Sequence, residues 1–135
     1  MSSQPQTASN IGDRAMGAAG LRAFFRMAEL WGLSDEEQRN LLGGPARTTY
    51  YNWRNDPESA KLRPDTIERL SYLIGIYKAL QILLPVSGAA DAWIRKPNTA
   101  GPFGGQSALE RMLSGRVADL FIVRQYLDAE RGGWV

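Results

Sequence analysis

The stretch Leu33–Asp56, with the sequence LSDEEQRNLLGGPARTTYYNWRND, decides the fold that we predict for this chain. Ser34 and Glu37 have the spacing of a capping box, and the acidic residues after Ser34 suit the positive end of a helix dipole. A helix should therefore start directly after Ser34. The pair Gly43-Gly44 should end it, because glycine is common just past the last turn of a helix.

A further short helix should follow the glycine pair. Pro45 fits its first position, and Asp56 closes it because a residue before proline avoids the helical conformation. Ala46, Tyr50 and Trp53 lie one above another at helical spacing and should face the core. The residues left on the outer face are Arg47, Thr48, Thr49, Tyr51, Asn52 and Arg54.

These outer residues are of the types that read DNA in the major groove. Arginine pairs with guanine, asparagine pairs with adenine, and a threonine methyl group contacts thymine. Two short helices joined by a glycine-containing turn are typical of a helix-turn-helix, so we expect the outer face of the second helix to bind DNA. We also expect a homodimer, because one small reading head makes few phosphate contacts. A plain helical hairpin with a solvated outer face would show the same pattern, and the sequence leaves that alternative open.

The flanking segments extend this prediction to an all-α fold. An amphipathic helix should run from Gly12 to Trp31 and end at Gly32, with a flexible tail over residues 1–15. A long helix should cover residues 64–84. Its apolar residues form more than one stripe, so it should be central. They are Ile67, Leu70, Leu73, Ile74, Tyr77, Leu80, Ile82 and Leu83.

The last third of the chain should consist of short helices and a loop. A short helix is expected around Trp93, followed by a turn-rich loop over residues 97–105 that is either functional or simply mobile. Ser107 and Glu110 have the spacing of a second capping box, and a final helix should run from Val117 to Arg131. On one side of that helix we place Val117, Leu120, Phe121, Arg124 and Leu127.

Composition excludes much chemistry. The 135 residues include neither cysteine nor histidine, so thiolate and imidazole catalysis, disulfides and the usual zinc sites are absent, and we expect no cofactor and no metal. Sixteen basic residues against fourteen acidic ones give a net charge of +2, too small for nucleic-acid binding through bulk charge alone. Thirteen of the sixteen are arginine, which fits either a GC-rich genome or a DNA or anion partner. With no signal-peptide or membrane-spanning pattern, we expect a cytoplasmic protein without a membrane partner.

The chain closes with Gly132-Gly133-Trp134-Val135, and a tryptophan is unusual there because terminal residues are usually frayed. Tryptophan is enriched among interface hot spots, so Trp134 is a candidate partner contact. It could instead fold back onto the final helix. The glycine pair permits either arrangement.

Taken together, these segments resemble antitoxins of the Xre/MbcA/ParS type over nearly all of the chain beyond about Gly20. The similarity implies a flexible tail over residues 1–15, an Xre-like helix-turn-helix domain over 16–78 and a toxin-binding domain over 79–135, with a long central helix joining the two domains. The residues that carry it are Leu33-Ser34, Leu41-Leu42-Gly43, Thr49 to Trp53, Glu68-Arg69-Leu70, Leu73-Ile74-Gly75-Ile76, Ala92-Trp93-Ile94, Pro97-Asn98, Gly105-Gln106-Ser107, Met112, Gly115 and Val123 to Leu127.

This resemblance implies a type II antitoxin that neutralises a RES-domain toxin, an enzyme that depletes NAD, and that represses its own operon by binding operator DNA. In the family, the C-terminal helix and tail of the antitoxin lie at the mouth of the NAD pocket of the toxin, and Trp134 with the main-chain carboxylate would occupy space that the dinucleotide needs. Carried over to this chain, the toxin-contact candidates are Arg124, Leu127, Asp128, Arg131, Trp134 and Val135.

Two other functions compete with this interpretation. The chain could be a stand-alone helix-turn-helix transcriptional regulator whose C-terminal half dimerises or senses a ligand. An enzyme is the other, but no pair of carboxylates stands in a catalytic motif, and the glycines of residues 101–105 do not follow a strand as a phosphate-binding loop requires. We therefore expect no catalytic activity and no small-molecule substrate.

Overall fold

A computed structural model describes the backbone of residues 4–132 and the side chains of residues 15–132. Its regular structure is helical, with one isolated bridge between Pro97 and Ser107, so the all-α prediction is confirmed. The elements are α1 (Gln4–Leu30), α2 (Asp35–Leu41), α3 (Arg47–Asn55), a 3-10 helix (Pro57–Ser59), α4 (Pro64–Leu83), α5 (Ala89–Trp93), α6 (Ala108–Met112) and α7 (Val117–Gly132).

Helix α1 begins at Gln4, eight residues before the predicted start at Gly12. Helix α1 therefore includes most of the segment, residues 1–15, that the sequence predicts as a flexible tail. Apolar periodicity shows which part of a helix is buried, and it says little about how far the polar end extends. The C-terminal end agrees with the prediction: α1 ends at Leu30, and Gly32 adopts a φ of 65°.

Helix α2 starts as predicted, with the Ser34 and Glu37 capping box formed on both sides. The turn that follows is longer than expected, and α3 begins at Arg47 with Ala46 as its N-cap. Pro45 is therefore not the first helical residue, and Ala46 is exposed and not part of the core. The carbonyl of Pro45 accepts a hydrogen bond of 3.0 Å from Arg39 Nε, which holds the proline in the turn.

Helix α4 is central, as predicted, and packs on α1 along one side and on α7 along another. Two of the apolar residues that indicate a central helix, Ile67 and Ile82, are nevertheless exposed. A helix with apolar residues around most of its circumference does not specify its buried face, which the neighbouring helices decide. The residues that α4 buries are Thr66, Arg69, Leu70, Leu73, Ile76, Ala79 and Leu80.

The loop over residues 97–105 is closed by its own hydrogen bonds. Asn98 donates from its backbone N–H to Gln106 and accepts from the N–H of Gly105, and its side-chain oxygen accepts from the N–H of Ala100. Phe103 is buried beneath these bonds, with its ring against Trp93 and Tyr126. The loop therefore forms a hydrogen-bonded turn that places Phe103 in the core.

Helices α6 and α7 form the C-terminal edge of the fold. The second predicted capping box, between Ser107 and Glu110, is present at the start of α6. In α7, two of the residues that the sequence places on one side of the helix, Leu120 and Leu127, are buried in the core. Phe121 does not, and Val123 is buried in its place.

No helix among the described residues is long and apolar enough to cross a membrane. Nor do the described side chains contain a cluster of three acidic residues that could hold a metal ion.

Candidate nucleic-acid and protein interfaces

The residues predicted to bind DNA form three adjacent columns on the outer surface of α3. Positions three and four apart are neighbours on a helix, so Thr48 and Asn52 form the outermost column. A second column lies towards the start of α4, where Thr49 and the predicted core residue Trp53 are half-buried. The third column lies towards α2. The column that faces α2 consists of Arg47, Tyr51 and Arg54.

The column that faces α2 is engaged by carboxylates of that helix. Asp35 accepts hydrogen bonds from the Tyr51 hydroxyl at 2.8 Å and from Arg54 at 2.9 Å, and these contacts lower the pKa of Asp35, with the Tyr51 bond as the largest cause. Glu36 lies 3.2 Å from Arg47. Both arginines of α3 therefore have carboxylate partners on the preceding helix, and helical spacing within α3 could not predict these pairs.

A buried hydrogen-bond network holds α2 and α3 together. The Tyr50 hydroxyl donates to Gln38 Oε1 at 2.7 Å, and Gln38 Nε2 donates to the carbonyl of Leu33 at 3.0 Å. Burial of Tyr50, with the nearby charge of Asp35, raises the pKa of Tyr50 to about 12, so the phenol stays protonated as a donor. Gln38 is not among the residues predicted from the sequence, although it lies one turn before Leu42 on the same face of α2.

The toxin-contact candidates of α7 separate into exposed and buried residues. Arg124 Nε lies 3.0 Å from Asp128, and Arg131 lies 3.9 Å from the other oxygen of that carboxylate. With Gly132 these three side chains line an open surface hollow of about 350 Å³. Leu127 is only 2% exposed and belongs to the core, so it is not available as a surface contact.

The two remaining candidates, Trp134 and Val135, lie outside the described residues.

Arg124 lies directly against α4, which the sequence analysis did not anticipate. Its guanidinium occupies the space that a side chain at Gly75 would fill, and it donates to the carbonyl of Ser71 at 3.4 Å. The absence of a side chain at Gly75 therefore allows Arg124 to lie close against α4.

The corner between α6 and α7 is held by a buried carboxylate, Asp119. It accepts hydrogen bonds from Ser114 at 2.5 Å, Arg111 at 2.8 Å and Arg116 at 3.1 Å. The Ser114 hydrogen bond, assisted by the two arginines, lowers the pKa of Asp119 to about 2 against the opposing effect of burial.

Three side chains connect the N-terminal helices to the C-terminal turns. Asn40 of α2 donates to the carbonyl of Leu113 at 3.1 Å, and the buried Arg69 of α4 donates to that of Gly115 at 3.0 Å. Arg95, after α5, donates to the carbonyl of Gly32 at the end of α1. The α2–α3 pair is thereby fixed in position relative to α6 and α7.

Comparison with known proteins finds a matching family domain in each half of the chain. Residues 12–75 match the antitoxin Xre-like helix-turn-helix domain, and residues 79–133 match the antitoxin Xre/MbcA/ParS C-terminal toxin-binding domain. A relative from Sinorhizobium fredii (strain NBRC 101917 / NGR234), described as "Uncharacterized protein y4oB", is 50% identical over 121 residues, which cover 90% of this chain and 91% of the relative.

The fold and these matches define a helix-turn-helix antitoxin, a class in which a toxin-binding domain follows the helix-turn-helix along the chain. The chain belongs to the Xre/MbcA/ParS antitoxin family, and it is the antitoxin of a toxin–antitoxin system.

Proposed function

We propose that this antitoxin neutralises a RES-domain toxin that degrades NAD. The tandem match of an Xre-like helix-turn-helix with the Xre/MbcA/ParS toxin-binding domain carries the proposal, because it makes the partner a toxin rather than a small molecule. The antitoxin itself supplies binding and no catalysis. It acts in the cytoplasm, where NAD is available to the toxin.

In this proposal the C-terminal half of α7 and the residues after it block the NAD pocket. The half-buried Arg124 and Asp128 and the exposed Arg131 line the hollow at that end of α7, which is open to a partner. Trp134 and Val135 follow within three residues of Gly132 and would extend the contact into the pocket. Leu127 is omitted from the proposed surface because the core buries it.

The experiment is co-expression of the chain with the toxin encoded beside it, with cellular NAD as the readout. Deleting residues 132–135 should abolish protection while leaving the thermal unfolding midpoint nearly unchanged. The reason is that Leu127 is the last hydrophobic core residue among those the structure describes. Arg131→Glu should weaken protection in the same assay. Arg26→Glu, a charge reversal at an exposed position of α1, is the matched control and should protect fully. Full protection by the deletion variant would contradict the proposed role of the tail.

We also propose that the antitoxin represses its own operon as a homodimer that binds operator DNA through α3. Thr48 and Asn52 point outward and have the chemistry to contact bases, and Thr49, Tyr51, Arg47 and Arg54 border them. A stand-alone regulator would bind DNA equally well, but it would neither co-purify with the toxin nor preserve NAD. Co-purification with the product of the adjacent gene separates the two functions.

A further inference from the structure

Positive charge around α3 is distributed unevenly. Both arginines of α3 face carboxylates of α2, since Arg47 pairs with Glu36 and Arg54 pairs with Asp35. The side chain of Glu36 is still 63% exposed to solvent. On the opposite side of α3, Lys61 and Arg63 are exposed and have no ion-pair partner among the side chains of residues 15–132. Lys61 and Arg63 are therefore uncompensated cations beside α3, whereas the two arginines on α3 itself are paired with carboxylates.

Lys61 and Arg63 share a cleft with the reading helix. The cleft has a volume of about 460 Å³, and its wall on the α3 side includes Thr49 and Trp53. Asp65 also lines it, but that carboxylate is held by Arg69 at 3.0 Å, so its charge is balanced. The remaining lining residues are Leu42, Gly43, Pro45, Ala46 and Thr66.

The chain between the 3-10 helix and α4 fixes the direction of these two cations. Ala60 is buried, and Leu62 packs against α1 where a side chain at Gly17 would come within 3.2 Å of its Cδ1 atom. Burial therefore alternates along this segment, with Lys61 and Arg63 both directed to solvent. Side chains two apart in an extended segment share one side, so the two charges face the same partner.

We propose that Lys61 and Arg63 bind the phosphate backbone of the operator DNA. The inference rests on the proposed operator binding and adds an orientation to it. The backbone of one strand lies along the Lys61 and Arg63 side of α3, and the acidic N-terminus of α2 faces away from it. The opposite orientation would place the exposed Glu36 against phosphates, where like charges repel.

Salt dependence tests this proposal, because each neutralised phosphate releases counterions. For duplex DNA, the logarithm of the binding constant falls with the logarithm of salt concentration with a slope of about −0.9 per phosphate contact. The probe is a labelled duplex from the region upstream of the gene of this protein, and the full chain is titrated by fluorescence anisotropy at several salt concentrations. The variant Lys61→Gln/Arg63→Gln should reduce the magnitude of the slope by about 1.8 for each bound protomer, and so by about 3.6 for the proposed homodimer.

Two control variants separate this site from general charge. Lys78→Gln/Lys96→Gln removes two exposed lysines elsewhere and should leave the slope unchanged. Lys61→Arg/Arg63→Lys keeps both charges and should retain it too. Thermal unfolding of each variant checks that the fold is intact.

The possible outcomes are distinct. If the wild type does not bind the duplex, the proposed operator binding is wrong and this inference fails with it. If the wild type binds and Lys61→Gln/Arg63→Gln has the same slope, operator binding stands and the placement of the backbone is wrong. In that second case, a large gain in affinity for Glu36→Gln would show that DNA lies on the α2 side.

Discussion

Replacing Asp119 by asparagine tests the corner between α6 and α7. The side chain of Asp119 is 4% exposed and accepts hydrogen bonds from Ser114, Arg111 and Arg116. Asparagine keeps the shape but removes the charge, and its amide group cannot accept from all three donors. The variant should therefore be less stable at neutral pH.

The pKa of Asp119 sets the size of this loss. Its displacement from 3.8 in the unfolded chain to about 2 in the folded chain corresponds to about 2 kcal/mol of stability when the carboxylate is charged. A lowered pKa stabilises the fold above pH 4, and this contribution is lost as the pH falls through 2. The difference between wild type and variant should thus be about 2 kcal/mol at pH 7 and about half of that at pH 3.

The measurement is urea unfolding followed by circular dichroism at pH 7, 5 and 3. Asp128→Asn is the matched control, because Asp128 also lies between two arginines but its side chain is 43% exposed. Exposed ion pairs contribute little, so this control should lose less than about 1 kcal/mol. A loss for Asp119→Asn that is below about 0.5 kcal/mol, or that is equal at pH 7 and pH 3, would refute the reasoning.

Two further predictions concern local structure. Ser34→Ala and Ser107→Ala each remove one capping hydrogen bond and should each lower the free energy of unfolding by about 1 kcal/mol. Thermal unfolding should show the larger loss at Ser107, because this residue is buried. Equal losses of stability for the two variants would contradict this account of the caps. Gly75→Ala should displace the flexible end of Arg124 and change stability by less than about 1 kcal/mol, since alanine also favours the helix. In the toxin co-expression assay Gly75→Ala should reduce protection as much as Arg124→Ala does, and normal protection would show that the position of Arg124 on α4 does not matter.

Local signals in the sequence were sufficient to predict the order of the helices. Each capping box involves residues three positions apart, so the contacts at Ser34 and Ser107 could be anticipated without the tertiary structure. The start of α1 could not, because no cap or apolar pattern marks it. The buried face of α4 was only partly predictable, because its apolar residues lie around most of the helix and packing against α1 and α7 decides which are covered. Ile82, which the apolar pattern includes, is exposed, and Ile76, which it omits, is buried.

The candidate sites were predictable as surfaces but not in their electrostatics. The outer residues of α3 could be assigned from helical spacing, but the pairing of Arg54 with Asp35 joins residues 19 positions apart. The bonds that Asn40 and Arg69 make to C-terminal turns span 73 and 46 positions. Spacing rules for helices reach only three or four residues, so such contacts are beyond them. The DNA-contact and toxin-contact roles of individual residues stay predictions.

The regions that match the two family domains, residues 12–75 and 79–133, adjoin within α4. The predicted domain boundary between residues 78 and 79 also lies within this helix. One hydrophobic core extends from Leu21 of α1 to Leu127 of α7, and α4 contributes Leu73, Ile76 and Leu80 to it. Cutting the chain at the boundary would expose apolar surface that α4 now buries against α7, at a cost of about 25 cal/mol for each Å². The helix-turn-helix and the toxin-binding region therefore share one hydrophobic core, so a partner that binds α7 should also stabilise the helices that carry the proposed DNA-binding surface.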